Sequence, residues 1–299
     1  MKQTIEHAWT TNASWLILLK PLSWIYLFAN KIHRLLYETG ILKQISFNVP
    51  VIVVGNILAG GTGKTPTVIA LAKQYHASGK KVGIISRGYG AHAAHYPVCV
   101  KSGDEPAQVG DEPLLIVEKT NAMVVCDPDR VRGIQYLIKA GCDLIISDDG
   151  LQHYRLKPSM RIAVHPKNWT GSTDVLPAGP FREPLSRLQA FDKVLYIDDS
   201  MRRYECTDRE GHVVEFSSLP QDLHVVIGIA QPQRLFDFLD SLSLKYTRHI
   251  FADHHAFVPT DFVKIDGPIL MTSKDWVKCR MFEWKQPVFV VDYQINPGG

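Results

Sequence analysis

The stretch Val51-Ile52-Val53-Val54 runs into Gly55-Asn56-Ile57-Leu58-Ala59-Gly60-Gly61-Thr62-Gly63-Lys64-Thr65 and then into helix-forming sequence. A strand that is apolar at every position is buried on both faces, which calls for a parallel sheet covered by helices. The glycine-rich turn after it lets successive backbone N–H groups point at phosphates beside a helix N-terminus. Gly60, Gly61, Thr62 and Gly63 would form that cradle, Lys64 would reach the outer phosphates and Thr65 would ligate Mg²⁺. The loop is a variant, because Leu58 stands where the pattern GxxxxGKT has its first glycine. Its flanking strand and helix separate it from a chance Gly-Lys-Thr turn, so binding of ATP or GTP is expected.

From Val49 onward, apolar β-branched runs alternate with helical stretches, the signature of a parallel sheet with crossover helices. Strands are expected at 51–54, 81–86, 122–126, 143–147 and 161–164, and, beyond the Pro-rich Leu176–Pro180, at 193–197, 225–229, 269–272 and 288–291. Helices should begin near Pro232 and Ser273. The fold class is therefore α/β: a P-loop type parallel sheet flanked by helices, a smaller C-terminal α/β part, and an apolar N-terminal segment. The corresponding ranges are 1–40 for the N-terminal segment, 41–185 for the nucleotide-binding core and 186–299 for the C-terminal part. A chain of 299 residues, 45% hydrophobic, can bury a core of that size. With 33 basic against 30 acidic residues, its charge gives no reason to expect a nucleic-acid partner. Its 5 cysteines contain no CxxC pair, which argues against a disulfide framework or a structural zinc site.

Residues 13–29 are almost wholly apolar, but Lys20-Pro21 interrupts them, and Pro21 should kink or end a helix there. A spanning helix needs about 20 predominantly apolar residues, so a single span fits poorly. No small-residue cleavage site follows; Asn30, Lys31, His33 and Arg34 come instead. Trp9, Trp15 and Trp24 share the segment with Lys20, Lys31 and Arg34, and Glu6 is its one acid before Glu38. That mixture suits an anchor lying in the interface of an anionic membrane, the alternative being a helix pair buried against the main domain.

A P-loop enzyme also needs a carboxylate at the end of a neighbouring strand to hold its metal. Leu144-Ile145-Ile146-Ser147-Asp148-Asp149-Gly150 supplies Asp148 and Asp149. Four further polar clusters border strands: Gly110-Asp111-Glu112-Pro113, Asp127-Pro128-Asp129-Arg130, Phe181-Arg182-Glu183-Pro184 and Asp253-His254-His255. Active-site loops occupy such places in open α/β sheets, but spacing does not decide among the clusters.

Taken together, VIVVGNILAGGTGKTP, GIISRGYG, VGDEPLLI, CDPDRVRG, LIISDDGLQHYRL, LPAGPFREPLSRL, FADHHAF and MTSKDWVKC, in that order, resemble the tetraacyldisaccharide 4'-kinase family of lipid A biosynthesis over most of the chain. The resemblance implies transfer of the γ-phosphate of ATP, with Mg²⁺, to the 4'-hydroxyl of a tetraacylated glucosamine disaccharide 1-phosphate, giving lipid IV-A. It also implies a membrane-associated N-terminus at the cytoplasmic face of the bacterial inner membrane. By position it assigns Lys64 and Thr65 to phosphate and Mg²⁺, and Asp148 and Asp149, with Glu112, to the metal. Asp111 matches the catalytic base and His254 its partner, a pairing expected to raise the basicity of the base. Arg130 and Arg182 would neutralise phosphoryl charge, while His153 and Glu183 fall on substrate-binding positions.

The chain departs from the family pattern at His165, where an Asp is usual, and at Gly171-Ser172-Thr173, where a Gly-Asn-Gly turn is usual. Both lie before the Arg182-Glu183-Pro184 loop and bear on acyl pattern more than on chemistry. Two rivals share the P-loop: a ligase phosphorylating a small soluble acid, which leaves the apolar N-terminus without a purpose, and a membrane-bound ATPase switch, which needs no lipid acceptor.

Overall fold

The computed structural model describes residues 2–91 and 93–295. Residues 1 and 296–299, the outermost parts of the expected first and third segments, lie outside the described residues, as does the side chain of Glu6. The N-terminal segment forms α1 (Lys2–Thr11), a 3-10 turn (Ser14–Leu19) and α2 (Lys20–Glu38). Pro21 starts α2 instead of ending a helix: at the first turn its missing N–H costs nothing and its fixed φ suits the helix.

α2 docks on the body of the protein by one narrow face. Ser23, 4% exposed, donates to Val175 O (2.9 Å) and accepts from Ala178 N (3.0 Å), and Tyr26 Oη donates to Arg182 O (3.1 Å). Trp9 of α1 is buried and donates from Nε1 to Pro177 O at 3.1 Å. Elsewhere the segment leaves Ile17, Leu18, Leu22, Trp24, Ile25 and Phe28 more than half exposed. Among the described residues, no helix is long and apolar enough to cross a membrane.

The larger sheet runs β3-β4-β2-β5-β1-β6-β7. Its strands are β1 (Val51–Gly55), β2 (Val82–Ser86), β3 (Val98–Cys99), β4 (Met123–Cys126), β5 (Leu144–Asp148), β6 (Met160–Pro166) and β7 (Lys193–Ile197). All pair in parallel except β3, which runs antiparallel to β4. β1, β2 and β5, the three central strands, are buried at every residue, as their largely apolar sequences require. Helices α3 (Lys64–Ala77), α4 (Pro106–Val109), α5 (Asp111–Lys119) and α6 (Arg130–Lys139) connect the strands. Gly133 lets α6 close on β2, since a Cβ there would stand 2.3 Å from Ile85 Cδ1.

The second sheet, β10-β9-β11-β12-β8, contains β8 (Arg202–Asp208), β9 (Leu223–Ile227), β10 (Tyr246–Ile250), β11 (Ile269–Thr272) and β12 (Val288–Ile295), with α7 (Gln233–Ser241) and α8 (Ser273–Cys279). β7 lies beyond residue 185 yet pairs with β6, so the larger sheet runs past the boundary expected from sequence. β9 ends at Ile227, two residues before the expected end of that strand, where Gly228 donates its N–H to Asp275. β3, β8 and β10 were not legible as strands. All three are edge strands; β3 is only two residues long, and the mixed faces of β8 and β10 carry little hydrophobic signal.

Candidate active site

A single cleft of about 1440 Å³ lies between the two sheets, extending from Trp9 and Trp169 past the P-loop to Arg202 and Tyr293. The C-terminal ends of β2 and β5 open into it, as expected for an open α/β sheet. The P-loop adopts left-handed backbone at Gly60 (φ 103) and at Gly63 (φ 91), the cap residue of α3. At Gly63 glycine is doubly required, because a Cβ would meet Ile295 Cδ1 of β12 at 2.9 Å. Asn56, fully buried, braces the loop by donating from Nδ2 to Thr62 Oγ1 (2.5 Å) and accepting from Lys64 Nζ (3.5 Å).

The two aspartates at the end of β5 occupy different surroundings. Asp149 has left-handed backbone (φ 47), and its carboxylate accepts twice from Arg182 Nη1 (2.8 and 3.0 Å) and lies 3.5 Å from Lys64 Nζ. Burial works to raise its pKa, but Lys64 and Arg182 outweigh burial and hold it below the usual carboxylate value. Asp148 is 2% exposed and its Oδ1 has no hydrogen-bond partner. Burial, then the charges of Glu112 and Asp149, push its pKa up to about 7.

A buried, unpaired carboxylate oxygen on a residue that lines the same cleft as Gly60–Thr65 is what a bound cation would satisfy. Thr65 and Glu112 line the same cleft. Among the described residues, no three His, Cys, Asp or Glu side chains cluster tightly enough to hold a metal by themselves. That donor set fits Mg²⁺, which keeps several waters and takes only one or two carboxylates together with substrate phosphates.

Arg130, at the start of α6 and 4% exposed, donates to Ile85 O (3.0 Å), Ser147 Oγ (3.2 Å) and Asp149 O (3.3 Å). His153 lines the cleft, but its Nε2 is buried without a partner; burial and the charge of Arg130 push its pKa down to about 4. Glu183 is 3% exposed and does not line the cleft. It accepts from Gln152 Nε2 (3.0 Å) and Arg187 Nε (2.9 Å), a buried brace behind the Arg182 loop.

On the opposite wall Asp111, the first residue of α5, meets His254, whose backbone is left-handed (φ 60). His254 Nδ1 lies 2.9 Å from Asp111 Oδ2, while Asp111 Oδ1 accepts from Glu112 N at 2.9 Å. His255 turns the other way, to Asp261 (2.9 Å) and the Phe251 ring, which settles which of the vicinal histidines faces Asp111. The hydrogen bond that His254 donates to Asp111 raises the pKa of His254. Burial tends to raise that of Asp111, but the His254 hydrogen bond and the Lys274 charge outweigh it and leave the carboxyl below its usual value. Pairing therefore increases the basicity of the imidazole, not of the carboxylate as expected from sequence. Lys274, at the start of α8, completes the group at 3.3 Å from both Glu112 Oε1 and His254 Nε2.

Asn56, Gln152 and Lys274 were not singled out by sequence reasoning. Asn56 sits inside the P-loop run, where its side chain could have been suspected of bracing the turn, whereas Lys274, 162 residues beyond Glu112, lies in the MTSKDWVKC segment, which marked the family but gave this lysine no role.

The model of the family described as tetraacyldisaccharide-1-P 4'-kinase (LpxK) matches residues 15–298. A Pasteurella multocida protein named tetraacyldisaccharide 4'-kinase is 41% identical over 290 residues, covering 92% of this chain and 89% of its own. Its namesake from Methylobacillus flagellatus is 38% identical over 306 residues, covering 95% and 90%. The crystal structure of the "apo" form of LpxK from Aquifex aeolicus in complex with ATP superimposes with a TM-score of 0.78 at 27% identity, covering 94% of each chain. This chain belongs to the tetraacyldisaccharide-1-P 4'-kinase family.

Proposed function

We propose that the chain transfers the γ-phosphoryl group of ATP to the 4'-hydroxyl of tetraacyldisaccharide 1-phosphate, yielding lipid IV-A and ADP in lipid A biosynthesis. The observation that carries this reading is the single cleft in which the P-loop lysine and the unpaired Asp148 oxygen face the Asp111–His254 pair. A phosphate donor site and a hydroxyl-activating site on opposite walls are what phosphoryl transfer to an alcohol requires.

The P-loop N–H groups and Lys64 hold the β- and γ-phosphates, with Lys64 aimed by Asn56 and Asp149. Asp111, anionic at neutral pH, accepts the proton of the acceptor hydroxyl as its oxygen bonds to the γ-phosphorus and the β,γ-bridging oxygen leaves with ADP. Thr65 and Asp148, with Glu112 nearby, would hold Mg²⁺, which when bound neutralises charge on the phosphate oxygens. Asp149 and Arg182 form an ion pair that orients Lys64 and leaves guanidinium N–H groups for the transferring phosphoryl. Arg130 stiffens the end of β5 beneath them, and His153 and Glu183 shape and brace the acceptor side.

The exposed Ile17, Leu18, Leu22, Trp24, Ile25 and Phe28 suit insertion into the cytoplasmic face of the inner membrane, next to the Trp9 and Trp169 end of the cleft. With γ-labelled ATP, Mg²⁺ and the lipid in mixed micelles, label should move into the lipid. Asp111→Ala should slow transfer by about 10² to 10⁴, the usual share of a positioned base, and Lys64→Ala should slow it more, since charge stabilisation dominates phosphoryl transfer. ATP bound by a folded protein with no label in the lipid would refute the assignment.

A further inference from the structure

Lys274 stands at the meeting point of the two halves with no role yet assigned. Its ammonium lies 3.3 Å from Glu112 Oε1, 3.3 Å from His254 Nε2, 3.7 Å from Asp253 Oδ1 and 3.9 Å from Asp111 Oδ2. The side chain is 21% exposed, and an ammonium has three N–H donors and no acceptor. Its approach to an imidazole nitrogen is therefore attractive only if that nitrogen carries a lone pair.

The alternative tautomer has a partner waiting. Asp253 Oδ2 lies 3.6 Å from the same Nε2, and Asp253 Oδ1 is buried without a hydrogen bond, so an Nε2–H could turn its proton toward that carboxylate. In that case Nδ1 would present a lone pair to the Asp111 carboxylate, and two acceptors 2.9 Å apart repel each other. The tautomer of His254 thus decides whether Asp111 is held in place or pushed away. Tyr89, whose ring lies 5.9 Å from that of His254, supplies a wall and no competing charge.

We infer that Lys274 is a positioning residue: by donating to Nε2 it fixes the neutral Nδ1–H tautomer of His254, which in turn donates to and orients Asp111. The inference rests on the reading of Asp111 as the group facing the acceptor hydroxyl. Since the ammonium already donates to Glu112, the same contact ties α8 of one half to α5 of the other.

Two measurements on the full chain test it. In ¹⁵N-histidine-labelled protein without substrate, His254, assigned by its absence from His254→Ala, should show a pyridine-like Nε2 and a pyrrole-like Nδ1. In Lys274→Met the Nε2 signature should turn pyrrole-like, its proton directed toward Asp253. A pyrrole-like Nε2 in the unsubstituted protein would overturn the inference whatever the enzyme phosphorylates, so this arm stands apart from the lipid-kinase assignment. In the transfer assay, Lys274→Met should lower kcat by about 10², the lower end of what a positioned base contributes, with KM for ATP unchanged. Lys274→Arg should recover part of the loss. In a His254→Ala background the methionine substitution should cost nothing further; an equal cost in both backgrounds would mean that Lys274 acts on phosphate or Glu112 and not through His254.

Discussion

Among the residues of the cleft, His153 reports most directly on its own burial. Its pKa is depressed from 6.5 to about 4, first by burial and then by the charge of Arg130. The folded state thus prefers the neutral ring, and as pH falls the unfolded chain takes up the proton first. The stability tied to this residue is complete above the ordinary value of 6.5 and is lost as pH falls from there toward 4. The melting temperature should accordingly drop less between about pH 7 and about pH 5 in His153→Gln than in the unsubstituted protein. Equal drops in a thermal-shift series would place the acid sensitivity elsewhere. Lys64 and Thr65 were legible because a P-loop is one continuous stretch whose spacing carries its mechanism. Asp111 and His254 are 143 residues apart, so no spacing could join them, and only family resemblance did. The opposite fates of Asp148, unpaired, and Asp149, paired with Arg182, depend on which way each side chain leaves the end of β5, which sequence order does not encode.

At the scale of elements, α2 combines a docking face with an apolar face, and neither of the two readings of its sequence excludes the other. Ser23 and Tyr26 attach it to the body, while Leu22, Trp24, Ile25 and Phe28 look outward. Each outward side chain stands to contribute about 1.5–3 kcal/mol on leaving water. Trp24→Ser with Phe28→Ser should therefore weaken binding to anionic vesicles by more than tenfold, as about 3 kcal/mol or more is lost, with little change in melting temperature because both side chains are exposed. Unaltered vesicle binding in a flotation assay would remove the interfacial role of α2. The buried strands β1, β2 and β5 were read correctly from their apolar runs. The edge strands were not, because an edge strand faces water along one side and its sequence RRYECTD or YTRHI resembles a loop.

In the whole molecule, α5 ties the two sheets together through charged pairs. It presents Asp111 to His254, Glu112 to Lys274, Glu118 to Arg280 and Lys119 to Asp292, so the proposed base lies where the halves meet. The cleft they line is bordered by Trp9 of the N-terminal segment as well as by Gly60–Thr65. The most direct test compares ATP consumption with native tetraacyldisaccharide 1-phosphate and with the same lipid lacking its 4'-hydroxyl. A kinase of this design should form ADP and phosphorylated lipid in equal amounts with the native acceptor, and neither above background with the 4'-deoxy lipid. ADP formation at the same rate with both lipids, or with none, would contradict it and identify an ATPase instead.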